Sequence, residues 1–288
     1  GDQHWLDPVP GSVVILTAHL TGPNGPVSPG DFDFRVSAWF DRLGAVGYTR
    51  TPVLLLSQAE GGAGLWIAET RVRLSRAVRA QVPGDAGGLA AAVMTGDRSG
   101  LSVPASDAMR DANLYHIVSI SGMHMGMLTG IVFGLIRSLV ALVPPLALRL
   151  PGKKIAALVA LPVAAFYLAL AGRDVATERA FVMVAVMLGA VLLDRQALSL
   201  RSVAMAALVV LVLRPESLLN PGFQMSFAAV IALIVAFQGV KRLPLHERRW
   251  RWLAPALLLL FSSLVAGLAT APYAAAHFNR IAHYGLVA

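Results

Sequence analysis

Cysteine is absent from the 288-residue chain, which excludes disulfides, thiol nucleophiles and Cys-ligated zinc. Charge is scarce too. Charged residues make up 14% of the chain, against roughly 25% in a soluble domain, so the polar surface that water requires is missing. No glycine-rich phosphate loop followed by Lys-Ser/Thr occurs, so no ATP motor is encoded. The seven histidines form no H-x-x-x-H pair and no His-rich metal motif. No cofactor, metal or catalytic residue is therefore expected. An initiator Met and a basic-then-apolar leader are also missing; with apolar Gly285-Leu286-Val287-Ala288 at the other end, the chain reads as an excerpt.

What is present is apolar: 56% of residues are hydrophobic, and they are unevenly spread. Residues 1–113 hold most of the acidic groups and many arginines, whereas residues 114–288 are apolar runs with charges between them. The net charge of +8 invites anionic partners, either lipid headgroups or nucleic-acid phosphates. Charge alone does not choose between them.

The first part reads as β-rich. Ser12–Leu20 is a β-branched apolar run ended by Gly22-Pro23-Asn24-Gly25-Pro26. The aromatics of Phe32–Leu43 suit a short packed helix, and Val53–Leu56 and Leu65–Leu74 are further strand candidates. Arg71-Val72-Arg73-Leu74 alternates as a strand does. A small barrel, or part of one, is expected.

From Leu114 onward six candidate spans follow, near 116–143, 153–172, 178–194, 198–213, 222–240 and 253–275. A clean helical span needs about 20 apolar residues, so the third and fourth fall short and call for shielding by protein rather than lipid. Loops after spans one, three and five hold eleven Lys and Arg, and those after spans two and four hold three. Positive-inside logic places the first set in the cytoplasm and the N-terminal part outside.

Several polar groups enter the apolar runs. Ser119, Ser121 and His124 lie at the start of the first, and Ser121 and His124 share a helical face. Gly122, Gly126, Gly130 and Gly134 recur every fourth residue, the spacing of a close helix contact. Arg173, Thr177, Glu178 and Arg179 surround the start of the third run, where Thr177 can cap the helix and Arg179 either snorkels or meets an anion. Gln224 and Ser226 follow the helix start Asn220-Pro221. Such groups either line a pathway or bond neighbouring helices. Outside the spans, Arg71, Arg73, Arg76 and Arg79, with Arg98 beyond, form a basic run. It is either a solvated face or a set of phosphate contacts.

Three stretches carry a family resemblance. Thr95-Gly96-Asp97-Arg98-Ser99-Gly100-Leu101-Ser102, Leu114–His124 and Asn220–Phe227 resemble the signature of the ComEC competence-protein family, as do Ala171-Gly172, Thr177–Phe181, His277-Phe278-Asn279-Arg280 and Tyr284-Gly285-Leu286. Upstream, Pro29–Asp33 and Gly44–Tyr48 resemble the family's OB-like periplasmic segment. The resemblance implies a mainly α protein: residues 1–80 a small β-rich OB-like periplasmic segment, 81–113 a connector, and 114–288 a truncated, polytopic transmembrane helical channel domain. It implies a bacterial inner-membrane channel passing single-stranded DNA to the cytoplasm, with a periplasmic DNA receptor and a cytoplasmic helicase-like ATPase as partners; homo-oligomerisation stays open. Activity as an enzyme is not implied, because the metallo-β-lactamase-like nuclease domain of many members does not occur in this chain. At 7% aromatic residues, platforms for base stacking are sparse, which suits weak contacts along a conduit. Two other classes compete: a small-solute transporter with broken helices, and an intramembrane serine protease, since Ser119-Ile120-Ser121-Gly122 resembles the rhomboid G-x-S-G element. The protease reading lacks a histidine inside a late span, His277 and His283 lying beyond the last run.

Sidedness can be tested in this cysteine-free chain. An impermeant thiol reagent applied to whole cells is expected to label Glu60→Cys and to spare Arg249→Cys. The reverse pattern overturns the assignment.

Overall fold

The structure is a computed structural model that describes residues 9–28, 33–58, 61–112, 114–172, 174–240 and 254–278. Arg173, the basic 241–253 loop and the motif residues after Phe278 lie outside the described residues, as do Pro29–Phe32. Two compact units divide the chain, 1–70 and 71–288.

The first unit holds β1 (Val13–Ile15), β2 (His19–Thr21), α1 (Phe34–Phe40), β3 (Val46–Tyr48) and β4 (Leu54–Ser57). β1 pairs antiparallel with β4 and β2 with β3, so the two ladders are nested. Between them the carbonyl of Thr17 accepts the hydroxyls of Thr49 (2.6 Å) and Thr51 (3.2 Å), which answers a backbone acceptor that the broken ladder leaves over. The expected β-rich region and short helix are both present. Asp33 caps α1 by accepting from the Arg35 backbone N–H (3.0 Å).

The strand expected over Leu65–Leu74 is instead part of a helix, α2 (Ala63–Gln81). Four alternating residues are too short a pattern to outweigh the helix-favouring alanines, leucines and arginines around them. The operative period is four: Arg71, Ser75 and Arg79 share one face. α3 (Asp85–Thr95) and α4 (Val103–Asp111) follow.

The apolar part consists of α5 (Gly122–Leu142), α6 (Pro144–Arg149), α7 (Gly152–Leu170), α8 (Val175–Leu192), α9 (Leu200–Leu213), α10 (Pro221–Val240) and α11 (Ala254–Phe278). Among the described residues, five helices are long and apolar enough to cross a membrane, in α5, α7, α8, α10 and α11. The 18-residue α8 thus reaches spanning length, while the 14-residue α9 stays short, as expected for that run. The fold is a mainly α, multi-helical membrane domain preceded by a small β region.

Close packing runs along α7 rather than α5. Ala156, Ala157, Ala160 and Ala164 are fully buried. Ala164 packs with Met125 of α5 and Ala180 of α8, and Ala157 and Ala160 pack with Leu188 of α8 and Phe133 of α5. A second seam joins Ala206 and Val210 of α9 to Phe223 and Phe227 of α10. The glycine stripe of α5 faces the other way. A Cβ added at Gly122, Gly126, Gly130 or Gly134 meets nothing within 4 Å, so the expected contact is not made among the described residues. The side chains that α5 turns inward are Met125, Thr129 and Phe133, and the small residues they need lie on α7.

These positions call for opposite outcomes. Ala160→Leu overfills a closed seam and is expected to cost about 1–3 kcal/mol, whereas Gly126→Ala is expected to cost nothing. Thermal unfolding of the detergent-solubilised protein separates them; equal destabilisation would place α5 and α7 in the wrong relation.

Candidate functional site

A group of polar side chains of the helical unit meets at one end, opposite the end where Lys154 pairs with Asp194. α5, α8 and α10 begin there, and α7, α9 and α11 finish there, as their mutual bonds show. Thr177, the third residue of α8, is fully buried and its hydroxyl donates to the carbonyl of Ile120 just before α5 (3.4 Å). Glu178 meets Arg214 at the end of α9 (3.0 Å). Gln224 of α10 donates to the Leu218 carbonyl (3.0 Å) and its amide oxygen lies 3.0 Å from His277 Nε2 of α11. Tyr167, near the end of α7, donates to the Val93 carbonyl (2.8 Å).

The segment between α3 and α4, Thr95–Ser102, is built residue by residue into this end. Gly96 ends α3 in the left-handed region at φ +73°, which favours glycine. A side chain there would stand 2.5 Å from the Ala171 carbonyl, so the glycine also permits a close backbone approach. Asp97 accepts from the Ser75 and Ser99 hydroxyls and pairs with Arg79 (3.3 Å). Burial pushes the Asp97 carboxyl up, but the Ser75 and Ser99 hydrogen bonds and the charge of Arg79 outweigh it and lower the pKa from 3.8 to about 2. A folded pKa below the unfolded one means that this contribution to stability is complete above about pH 4 and disappears as pH falls through about 2. Ser102 caps α4, and its backbone N–H and its hydroxyl both donate to the Asp85 carboxylate (2.8 and 3.0 Å).

Arg98 reaches furthest. Its Nη2 donates to Asp174 Oδ2 (2.8 Å) and to the Ser119 hydroxyl (3.1 Å), so one guanidinium ties the α3–α4 segment to the approaches of α5 and α8. Arg71 donates from Nε to the Thr95 carbonyl (2.8 Å), and its guanidinium fills the space over Gly172, a left-handed residue at φ +81° where a side chain would collide with it. Between these groups opens a cavity of about 330 Å³ lined by Arg71, Gly96, Arg98, Ile120, Ala171, Gly172, Asp174 and Thr177.

The residues singled out from sequence thus separate. Arg71, Arg98 and Thr177 line the cavity, with Ser119 bonded to its edge. Arg79 serves Asp97, and Arg73 and Arg76 are exposed elsewhere around α2. Ser121 and His124 form a capping box at the start of α5, in which His124 Nδ1 accepts the Ser121 backbone N–H (3.2 Å) and lies 3.2 Å from its hydroxyl. That geometry gives the imidazole a capping task. Against the expectation that His277 lies beyond the last span, it belongs to the last turn of α11, where it meets Gln224 and not Ser121. Glu178, Arg179, Gln224 and Ser226 do not line the cavity. The sequence alone assigns no role to Ser75, Asp97 or Arg214; the four-residue spacing of Arg71, Ser75 and Arg79 is the signal that points to Ser75.

Residues 93–288 match the Competence protein family. ComE operon protein 3 of Bacillus subtilis (strain 168) is 27% identical over 275 residues, covering 94% of this chain and 32% of that protein. Competence protein ComA of Neisseria gonorrhoeae is 36% identical over 239 residues, covering 78% of this chain and 33% of that protein. The chain therefore spans about a third of the length of these relatives. No solved structure matches it. The family match takes in α4 to α11, the Thr95–Ser102 segment and every element of the cavity except Arg71, and with five apolar helices of spanning length the chain is a multi-pass membrane protein that belongs to the Competence protein family.

Proposed function

We propose that this chain is part of an inner-membrane conduit that passes single-stranded DNA into the cytoplasm during natural transformation, and that the arginine-lined cavity is a contact point for the strand's phosphates. The family, and relatives named as competence proteins, support the DNA-uptake part of the reading. The observation that carries the site is the convergence of Arg71 and Arg98 on one cavity at the start of α8.

The chemistry suits a polyanion. Guanidinium groups pair with phosphate oxygens through two-pronged hydrogen bonds, and the positive end of α8 adds to their field. Asp174 is the counter-charge that holds Arg98 while no phosphate is near. Both partners of that pair are more than 40% exposed, and an exposed ion pair is worth at most about 1 kcal/mol, so an arriving phosphate can displace it. A conduit must bind firmly enough to admit its cargo and weakly enough to release it. Two arginines with one competing carboxylate meet that requirement. A periplasmic receptor to deliver the strand and a cytoplasmic helicase-like ATPase to pull it are the partners this reading requires, and the N-terminal β unit then faces the periplasm.

In the full-length protein, Arg71→Gln with Arg98→Gln is expected to lower internalised labelled DNA at least tenfold, with surface-bound DNA removed by nuclease and the protein level in the membrane unchanged. With purified protein, each arginine removed should flatten the salt dependence of single-strand binding by about 0.7 in log–log slope. Wild-type uptake by the double variant would remove the cavity from the pathway.

A further inference from the structure

Arg179 is, among the described residues, a buried charged group that neither the cavity nor the ion pairs explain. It lies one turn into α8, is only 9% exposed, and its Nε has no hydrogen-bond partner. Burying a guanidinium N–H without a partner is costly, because its lost hydration is not replaced. Of the two acidic residues nearest in sequence, Asp174 pairs with Arg98 at 2.8 Å and acts on Arg179 only through space, and Glu178 pairs with Arg214 at 3.0 Å.

The surroundings add positive potential. The Arg179 guanidinium stands against the first turn of the 20-residue α10, with Nη2 2.8 Å and Cζ 3.4 Å from where a Gly222 Cβ would be. That end of a helix carries about half a positive charge. Asn220 closes the turn: its side-chain oxygen accepts the Gly222 N–H (2.8 Å) and its carbonyl accepts Phe223 and Gln224 (3.0 and 3.2 Å). With the oxygen engaged, the two N–H donors of the same amide remain available. A buried cation, a helix N-terminus and an amide donor therefore meet around a glycine that leaves them room.

We infer that Arg179 and the Asn220–Gly222 turn hold a phosphate-type oxyanion, which pins the start of α8 to the start of α10. The forked guanidinium matches an oxyanion better than a spherical halide. A free phosphate and the phosphate of a lipid headgroup present the same chemistry. This site is separate from the cavity, and it does not depend on the conduit reading.

The test uses the full-length protein, with thermal unfolding followed as inorganic phosphate replaces chloride at constant ionic strength. The measurement is then repeated in nanodiscs with and without phosphatidylglycerol. Wild type is expected to gain a saturable upward shift of about 2 °C or more. Arg179→Gln should show no shift and should be at least as stable as wild type without phosphate, since its buried charge is gone. Gly222→Val, which crowds the guanidinium but keeps it, should also lose the shift, while Arg98→Gln retains it. A shift with phosphate in micelles identifies a free ion, and one confined to phosphatidylglycerol discs identifies a headgroup. An equal shift in Arg179→Gln and wild type, or none under any condition, overturns the site. A shift lost in Arg98→Gln but kept in Arg179→Gln would move the anion to the cavity, contradicting this inference and leaving the conduit reading standing.

Discussion

Asp174, Thr177 and Glu178 crowd the start of α8, and each is answered from a different element. Asp174 is held by Arg98 of the α3–α4 segment, Thr177 by the Ile120 carbonyl before α5, and Glu178 by Arg214 at the end of α9. In a bilayer an unanswered polar group costs several kcal/mol. These side chains can enter the apolar unit only if the ends of their partners' elements come to them. That requirement aligns the ends of α5, α7, α8, α9 and α10, and the remaining geometry follows from it.

Packing and site are linked through this alignment. The buried alanines of α7 let α5 and α8 approach closely, which brings Ser119 within reach of both Arg98 and Asp174. Gly96 and Gly172, both in the left-handed region, then allow two turns to close over the Arg71 guanidinium. Arg71 and Arg98 stay 27 positions apart in sequence yet share a cavity, because Arg71 of α2 reaches the Thr95 carbonyl at the end of α3, three residues before Arg98.

Much of this was legible in the sequence. Long apolar runs marked the spans, since nothing else allows so little charge over residues 114–288, and polar residues at the starts of those runs marked the end where the site lies. Arg98 and Thr177 stand out in the sequence, but the Asp174 that Arg98 meets lies 76 positions away and the Ile120 carbonyl that Thr177 meets lies 57 away, and spacing does not report such contacts. Three expectations differ from the described structure for local reasons. Arg71–Leu74 looked like a strand because four residues sample both periods equally well. The α5 glycines looked like a packing stripe because spacing describes which residues share a face, and not which face is covered. His277 was placed outside the last span for a similar reason: the apolar run weakens at Tyr273, while the helix continues to Phe278.

The most direct test of the central claim asks whether a strand in transit touches the cavity. Ser119→Cys places a single thiol at its edge, bonded in the wild type to Arg98, and Ile131→Cys places one on the exposed face of α5. Single-stranded DNA carrying thiol-reactive groups on its backbone is supplied during transformation, and covalent capture is scored. Capture at position 119 and not at position 131 is the predicted result. Efficient uptake with no capture at 119, or equal capture at both, would contradict the account.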